Sequence, residues 1–214
     1  MSPTSSAEPA PAPPRRHDRR RARTRARLIA AAREMLVSPQ YAERSIAEIT
    51  EAADVGLGSF YNHFASKPEL FDAAVAEVLE EHGALIDAAT ADVIDPAEAF
   101  AVGVRYTGRL VITHPQIAQI LATKGMSLLD ATTGLAPRLR RLLVAGQKSG
   151  RFADIRPEVA AVSVGGSLLG LLHLWLGAPE LVDESWCDEM VERLLVMLGL
   201  DAADAAKLAR APLP

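Results

Sequence analysis

Residues 45–70 read SIAEITEAADVGLGSFYNHFASKPEL, and this stretch decides the fold of the N-terminal part of the chain. Ser45, followed by Glu48 three residues later, forms a capping box and predicts that a short helix begins there. Residues 54–56 predict a tight turn, and residues 57–64 predict a second short helix. Two short helices joined by a turn of three or four residues predict a helix-turn-helix.

Three of the ten aromatic residues of the chain fall within the second of these helices. Phe60 and Phe64 are four residues apart and therefore share one face, which we assign to the core. Tyr61 and Asn62 point elsewhere, and Gly58 leaves no side chain between the helix and a surface that it approaches. In a helix-turn-helix, the second helix is the one that enters the major groove of DNA. Its outward residues are therefore candidates for nucleic-acid contact.

The sequence patterns in the rest of the chain predict an all-α fold. The sequence contains no sustained alternation of apolar and polar residues and no Asn-Gly turn, so no strand is predicted. Apolar residues recur at three- and four-residue spacing, and Ser, Asp, Pro and Gly mark the ends of helices. The predicted helices cover residues 19–37, 45–53, 57–64, 66–89, 95–114, a short segment to 123, 127–149, 156–176, 183–198 and 201–210. Whether the helix at 127–149 is interrupted near 134–137 is open from the sequence.

The predicted organisation has three parts. Residues 1–18 begin with MSPTSSAEPAPAPP, a Pro-, Ala- and Ser-rich leader that we expect to be disordered. Residues 19–67 form the helix-turn-helix domain, and residues 68–210 form a larger helical domain.

Charge is unevenly distributed along the chain. The formal net charge is -4, yet residues 15–27, RRHDRRRARTRAR, hold eight arginines and one aspartate. Without residues 1–27, 15 basic and 25 acidic residues remain. A basic arm on an acidic body favours contact with a polyanion, although a solvated leader has the same composition.

The sequence predicts a cytoplasmic protein. The single cysteine, Cys187, excludes an intramolecular disulfide and a Cys-rich zinc site, and a reducing compartment permits it. No apolar run after the arginines is long enough for a signal peptide. Residues 159–176 carry no formal charge and reach the length of a membrane span, but they contain His173, serines and glycines. We interpret them as a buried helix in a soluble core.

Residues 24–75 resemble the DNA-binding domain of the TetR family of transcriptional regulators. The shared pattern is a small capped helix, an Ala-x-Val turn, Gly-Ser-Phe-Tyr-x-His-Phe, and Ser-Lys before Glu-Leu. The positions that match the family pattern are Gly58, Ser59, Tyr61, His63, Phe64, Ser66, Lys67 and Leu70. Two positions depart from the pattern, because Asp54 stands where the family usually has glycine and Gly56 replaces the usual Ser or Thr cap.

The resemblance implies a role for each candidate DNA-binding residue. Contacts to phosphates are implied for Ser45, Tyr61, His63 and Lys67, and contacts to base edges for Leu57, Ser59 and Asn62, with Gly58 permitting a close approach. Residues 20–27, among them Arg23 and Arg25, would reach the DNA backbone or the minor groove. Taken alone, His63, Tyr61 and Lys67 would also fit as a structural histidine, a packed surface ring and a solvated charge.

In the TetR family the larger domain binds a ligand and forms a dimer. Small residues on the helix at 156–176 would let another helix come close, and the helix at 183–198 has an apolar stripe. The small residues are Ser163, Gly165, Gly166, Ser167 and Gly170. We therefore expect a homodimer through the last two long helices and a palindromic operator in double-stranded DNA. The alternative is that both helices pack within one monomer.

A small apolar or amphipathic effector is the expected ligand of this domain. Aromatic, histidine and methionine side chains are candidates to line its cavity, although each also fits an ordinary core position. These candidates are Phe100, Tyr106, His114, Met126, His173 and Trp175. The five histidines show no paired spacing for a metal, so we predict neither a metal nor a cofactor.

The function predicted from the sequence is a repressor that the effector releases from its operator. A ligand-responsive activator and a non-specific nucleic-acid-binding protein are the alternatives. An enzyme with His114 or His173 in a catalytic pocket is a third class, but the chain has no nucleophile elbow, phosphate loop or pair of catalytic carboxylates. We therefore predict that it is not an enzyme.

Overall fold

The computed structural model describes residues 16–124 and 134–214 of the chain. Within those ranges the chain is helical and contains no strand, as the sequence predicts. The helices are α1 (Arg16–Leu36), a short 3-10 helix (Pro39–Glu43), α2 (Ile46–Ala52), α3 (Leu57–Phe60), α4 (Lys67–Ala89), α5 (Pro96–Gly108), α6 (Leu110–Thr113), α7 (Pro115–Lys124), α8 (Leu135–Lys148), α9 (Pro157–Gly177), α10 (Glu184–Met197) and α11 (Ala202–Ala209).

Helices α1, α2 and α3 and the first half of α4 pack around one apolar cluster. Its largest buried members include Leu28, Ile29, Phe60, Phe64 and Phe71. The prediction that Phe60 and Phe64 share an inward face is therefore confirmed. Because these two rings fix the orientation of α3, its opposite side faces outward.

The turn between α2 and α3 is closed by an aspartate in a left-handed conformation. Asp54 has φ +50°, and it is the sole residue other than glycine with a positive φ in the described part of the chain. Aspartate tolerates this region better than most residues, and its carboxylate accepts a hydrogen bond from the guanidinium of Arg27 on α1. Gly56 then precedes α3 with an extended backbone and supplies no side-chain cap.

Helix α3 is shorter than predicted. Its helical residues end at Phe60, where the sequence predicted a helix to Phe64. The backbone N–H groups of His63 and Phe64 both donate to the carbonyl oxygen of Phe60, at 2.9 and 3.0 Å. The segment therefore continues as a tight turn, because the chain must become extended at Ser66, which caps α4.

Helix α4 connects the N-terminal cluster to the larger domain. It has 23 residues, which gives a length of about 34 Å at 1.5 Å per residue. The part of α4 up to Glu81 packs on α1, and there the Arg33 guanidinium lies 2.6 Å from a carboxylate oxygen of Glu81. Its second half packs on α5 and α8, so one continuous helix belongs to both parts.

A second apolar cluster forms the core of the larger domain. It joins α5, α8, α9, α10 and α11 and includes Phe100, Leu143, Phe152 and Val164. Gly146 on α8 is required there, because a Cβ atom at this position would lie 2.0 Å from the ring of Phe152. Phe100 and Phe152 meet edge to face with ring centroids 6.1 Å apart.

Helix α1 begins at Arg16, so residues 16–18, which we expected to belong to the disordered leader, are helical. Two more predicted helices differ in their bounds. The helix expected at 95–114 divides at Arg109 into α5 and α6, and the Arg109 side chain bonds Asp188 of α10 at 3.1 Å. The helix expected at 127–149 begins at Leu135, because Gly134 before it has φ +75° and ψ −133°. Residues 127–133 of that prediction lie outside the described ranges.

Helix α9 is buried on one side and exposed on another, whereas the sequence predicts a buried helix with small residues that let another helix come close. By length and composition α9 could cross a membrane, but 33% of its most apolar window is buried inside the protein. Its partly or fully exposed positions follow helical spacing and are mostly apolar or small. They include Val159, Val162, Gly166, Gly170 and Leu174, while Glu158 and His173 are exposed polar residues of the same helix.

Candidate nucleic-acid interface and effector cavity

The outward side of α3 presents large side chains that the fold does not bury. Leu57 is 54% exposed and Tyr61 is 63% exposed, and Asn62 follows them on the surface. The Phe60 ring meets the Tyr61 ring edge to face at 5.3 Å, which holds Tyr61 against the core. A Cβ atom at Gly58 would meet nothing within 4 Å, so this part of α3 is open to an approaching surface.

Helix α1 lies beside α3 and adds positive charge to the same surface. Arg20, Arg21 and Thr24 of α1 form a groove of about 560 Å³ with Ser59, Asn62 and His63. The Arg21 guanidinium lies 3.4 Å from the carbonyl oxygen of Asn62. Arg23 is also exposed on α1. The groove thus combines arginines with the predicted base-contacting and phosphate-contacting residues.

Arg25 lies differently from the other arginines of α1. Its guanidinium carbon is 5.2 Å from the centre of the Phe64 ring, and one nitrogen is 3.5 Å from a carboxylate oxygen of Glu77. The predicted DNA-binding residue therefore packs against the core and pairs with α4. Its role as a contact to DNA stays a prediction.

His63 is half-buried at the edge of the groove. Burial lowers the pKa of His63, and the positive charges of Arg21 and Arg25 lower it further. The imidazole is therefore neutral at pH 7 and offers one N–H donor. A neutral donor can still bind a phosphate oxygen, but it adds no charge.

The hydroxyl of Ser45 is occupied by the capping box. It donates to the Glu48 carboxylate at 2.8 Å and accepts from the Glu48 N–H at 3.2 Å. Hydrogen bonds from the Ser45 N–H and hydroxyl, and then from Arg44, lower the pKa of Glu48 to about 2. The N-terminus of α2 thus already holds a carboxylate, and a phosphate there would compete with it.

Lys67 is also partly occupied. Its ammonium group donates to the carbonyl oxygens of Ala42 and Arg44, at 2.6 and 2.8 Å. An ammonium group has three donors, so one remains for a phosphate. The sequence gave no sign of this contact with the segment before α2, because the partners are backbone atoms more than twenty residues away.

A separate cavity of about 410 Å³ lies in the larger domain. Helices α4, α5, α7, α8 and α9 line it, mostly with apolar side chains. The apolar lining includes Ile86, Phe100, Val104, Leu121, Leu139, Val164, Leu168 and Leu172. The polar and charged lining residues are Asp87, Thr90, Thr107, Arg138 and Arg141. Volume and composition are those of a small-molecule site.

Phe100 is the one described member of the predicted ligand-binding set that lines this cavity. Tyr106 lies on another face of α5, and its hydroxyl donates to the Pro214 carbonyl at 2.8 Å. His114 is exposed between α6 and α7. Neither residue lines this cavity, because the sequence does not reveal which face of each helix turns toward it, and their role as ligand contacts stays a prediction.

The two predicted residues on α9 also lie outside the cavity. His173 is exposed, and Trp175 is buried in a small separate cluster with Leu171, Val182 and Cys187. The cavity face of α9 follows Val164, Leu168 and Leu172 at four-residue spacing, which excludes both side chains. Met126 lies outside the described residues.

Sequence analysis did not identify the polar residues of the cavity. Thr107 and Arg138 sit in ordinary helical patterns, and no motif marks them. The spacing of Ile86 and Thr90 shows that they share a face of α4, but that spacing is shared by every amphipathic helix. Within the described ranges, no group of three or more His, Cys, Asp or Glu side chains could hold a metal ion.

Comparison with known proteins gives consistent results for both parts of the chain. The model of bacterial regulatory proteins of the tetR family matches residues 28–74. The model of the tetracyclin repressor-like C-terminal domain matches residues 95–211. The HTH-type transcriptional regulator TtgR of Pseudomonas putida is 27% identical over 194 residues, covering 80% of this chain and 91% of TtgR.

Solved structures show the same similarity. RolR in complex with resorcinol is 31% identical with a TM-score of 0.68, and the match covers 92% of this chain and 98% of RolR. RolR without ligand is 30% identical with a TM-score of 0.63, and that match covers 88% of this chain and 98% of RolR. The fatty acid degradation regulator FadR from Bacillus halodurans, at 17% identity and a TM-score of 0.62, shares the fold over 83% of this chain and 97% of FadR.

Proposed function

The chain belongs to the TetR family of transcriptional regulators, and from this premise we propose that it is a repressor released from its operator by a small molecule in the cavity. That it is a DNA-binding regulator follows from the family. The observation that carries the proposal is the exposed side of α3 beside the arginines of α1. The relatives are regulators rather than enzymes, and TetR regulators are soluble, which supports a cytoplasmic protein.

The exposed residues of α3 divide into two groups by their chemistry. Leu57, Ser59 and Asn62 are the proposed contacts to base edges, since Asn can pair with adenine and Leu can touch a thymine methyl group. Tyr61 and His63 are the proposed phosphate contacts, because each offers one neutral donor at the rim of α3. Gly58 would allow α3 to lie close to the bases.

The remaining phosphate contacts are proposed with smaller roles. Lys67 has one free donor beside the two that bond backbone carbonyls, and Ser45 would have to share its hydroxyl with Glu48. Arg23 is exposed and free to reach the DNA backbone, whereas Arg25 would have to leave Glu77 and Phe64. Positive charge on α1 would attract DNA even without direct contact.

A two-fold homodimer through α9 and α10 accounts for the exposed apolar surface of these helices. Val159, Val162 and Leu174 are exposed on α9, and Trp186 and Val196 are exposed on α10. Gly166 and Gly170 lie on the same exposed face, and a Cβ atom at either would meet nothing within 4 Å, so a second helix can approach closely. Such a dimer would bind a palindromic operator whose half-sites lie about 34–36 Å apart or a multiple of it.

The proposed effector is a small apolar or amphipathic molecule. The cavity is large enough for a compound of one or two rings. RolR, at 31% identity, has been crystallised with resorcinol, which supports an aromatic compound for this chain as well. The effector must bind one conformation of the dimer more tightly than the other, since otherwise it would not change DNA binding.

The function can be tested by selecting DNA fragments on the purified protein. We expect enrichment of one palindromic sequence and loss of this preference in the double variant Tyr61→Ala/Asn62→Ala. A panel of small phenols, medium-chain alcohols and medium-chain fatty acids would then be screened for release of the selected fragment. Reporter expression with the operator placed at a promoter distinguishes a repressor from an activator.

A cavity-filling variant links release to the cavity. Leu168→Trp places a larger side chain in the lining and should abolish release while DNA binding persists. Leu85→Trp, at an exposed position of α4 outside the cavity, is the matched control and should behave as the unchanged protein. Binding of all duplexes alike, or release that survives Leu168→Trp, would contradict the proposal.

A further inference from the structure

Two carboxylates hold the guanidinium of Arg138, a residue of the cavity lining. The Arg138 guanidinium lies 2.9 Å from a carboxylate oxygen of Asp87 and 2.9 Å from one of Glu80. A hydrogen bond from the Gly134 N–H, followed by one from Arg138, lowers the pKa of Glu80, and the charge of Arg141 lowers it further. Arg138 is therefore held by two carboxylates, and its guanidinium is not free to compensate a charged ligand.

The other polar groups of the lining are two threonine hydroxyls. Thr90 donates to the carbonyl oxygen of Ile86 at 2.8 Å, and Thr107 donates to that of Gly103 at 2.9 Å. A hydroxyl has a single proton, so neither threonine can donate to a ligand without breaking its helical bond. Both oxygens keep lone pairs, and each threonine therefore acts as an acceptor.

Thr107 differs from Thr90 because a buried histidine supports it. His82 of α4 is 1% exposed, and its Nε2 atom lies 3.1 Å from the Thr107 hydroxyl oxygen. Burial, and to a smaller extent the charge of His114, lowers the pKa of His82 to about 4. The ring is therefore neutral at pH 7 and carries one proton.

The available partners decide which ring nitrogen carries that proton. With the proton on Nε2, His82 donates to Thr107 and Thr107 donates to Gly103, which makes two hydrogen bonds. With the proton on Nδ1, that N–H would be buried without a partner, since Nδ1 has none in the described structure. The first arrangement makes more hydrogen bonds and is the one we assign.

The dry surroundings of Thr107 make its remaining lone pair favour ligands that can donate a hydrogen bond. Thr107 is buried, and Leu121 and Leu172 line the same cavity. Thr90 is half-buried at the end of α4, where water can replace a ligand. A hydrogen bond left unmade costs more free energy in dry surroundings than in wet ones.

We infer that Thr107, positioned by His82, accepts a hydrogen bond from the effector and selects mainly apolar molecules that carry a hydroxyl or N–H donor. This rests on the proposal that the cavity holds the effector. A molecule of the same shape without a donor would leave the remaining lone pair of the Thr107 oxygen without a partner in dry surroundings.

A pair of matched probes tests this inference. The affinities of 4-phenylphenol, which has a donor, and 4-fluorobiphenyl, which has none, would be measured by calorimetry. The affinity ratio of the two probes should fall about tenfold in Thr107→Val, which corresponds to one lost hydrogen bond. The ratio should stay within about twofold in Thr107→Ser, which keeps the hydroxyl, and in Thr90→Val, the control at the other threonine. Thr107→Cys, a weak acceptor, gives the same comparison if Thr107→Val does not fold.

The inference is overturned if the ratio is unchanged in Thr107→Val, if Thr90→Val lowers it equally, or if neither probe binds. These outcomes leave the proposed function testable by itself. Operator release by a fatty acid or another compound of the wider panel, blocked by Leu168→Trp, would support the effector cavity even when the preference for a donor fails.

Discussion

The ammonium group of Lys67 donates a hydrogen bond of 2.8 Å to the carbonyl oxygen of Arg44. Arg44 directly precedes Ser45, which caps α2, and Lys67 is the first residue of α4. A second bond, to the Ala42 carbonyl at 2.6 Å, strengthens the link. One side chain thus ties the start of the helix that reaches the cavity to the start of the helix-turn-helix.

Lys67→Ala should therefore affect both stability and DNA binding. Loss of two charge-assisted hydrogen bonds should lower the free energy of unfolding by about 1–3 kcal/mol. Loss of one positive charge near DNA should weaken binding to all sequences alike and reduce the salt slope by about one. Thermal unfolding and binding at several salt concentrations measure both effects. Lys148→Ala, at the exposed end of α8, is the control, and unchanged stability of Lys67→Ala would contradict the structural role.

Asn62→Ala should change sequence preference rather than general affinity. A bidentate contact to one base contributes about 1–3 kcal/mol of discrimination, and the loss should be confined to one position of each half-site. Binding to a set of operators with single base changes measures this. Gln116→Ala, an exposed amide on α7, is the control. An unchanged preference profile would remove Asn62 from the base-contacting set.

Val162→Glu should separate the proposed dimer into monomers. Val162 is 53% exposed on the apolar face of α9, and a carboxylate there would be buried without a partner in the proposed interface. Ile112→Glu is a matched control, because Ile112 on α6 is also 53% exposed and β-branched. Sedimentation velocity measures the mass of each variant. Two variants with equal mass would argue against α9 as the interface.

The capping box of α2 should make stability depend on pH in the acidic range. The pKa of Glu48 is lowered to about 2 in the folded chain, from an ordinary value of 4.5, so its stabilising effect is present above about pH 4.5 and is lost as the pH falls toward 2. Glu48→Gln should unfold at a lower temperature than the unchanged protein at pH 7. The difference should narrow between pH 4.5 and 2. Glu34→Gln, exposed on α1, should show no such narrowing.

The helix-turn-helix was predictable because its information is local. The capping box at Ser45, the turn at Asp54 and the four-residue spacing of Phe60 and Phe64 all lie within twenty residues. Each acts through backbone geometry or through one face of one helix, which a sequence displays directly. Only the end of α3 was misplaced, since it depends on how the chain reaches Ser66.

The cavity was not predictable in the same way. Its lining comes from five helices, and choosing the inward face of each requires their relative rotation. Tyr106 and Thr107 are neighbours in sequence, yet Thr107 lines the cavity and Tyr106 bonds the end of the chain. Aromatic and histidine content was a poor guide, because those side chains also serve as core and surface residues. Lys67 shows the same limit, since its backbone partners at Ala42 and Arg44 emerge only from the packing.

Gly58 has a consequence for how this protein can change over generations. The space around it is empty, so folding itself places no demand on that site, and its neighbour Leu57 is also largely exposed. Substitutions on this strip can therefore alter which genes are controlled without endangering the fold. New regulatory specificities are accessible by single mutational steps, while the buried rings of Phe60 and Phe64 keep the scaffold fixed.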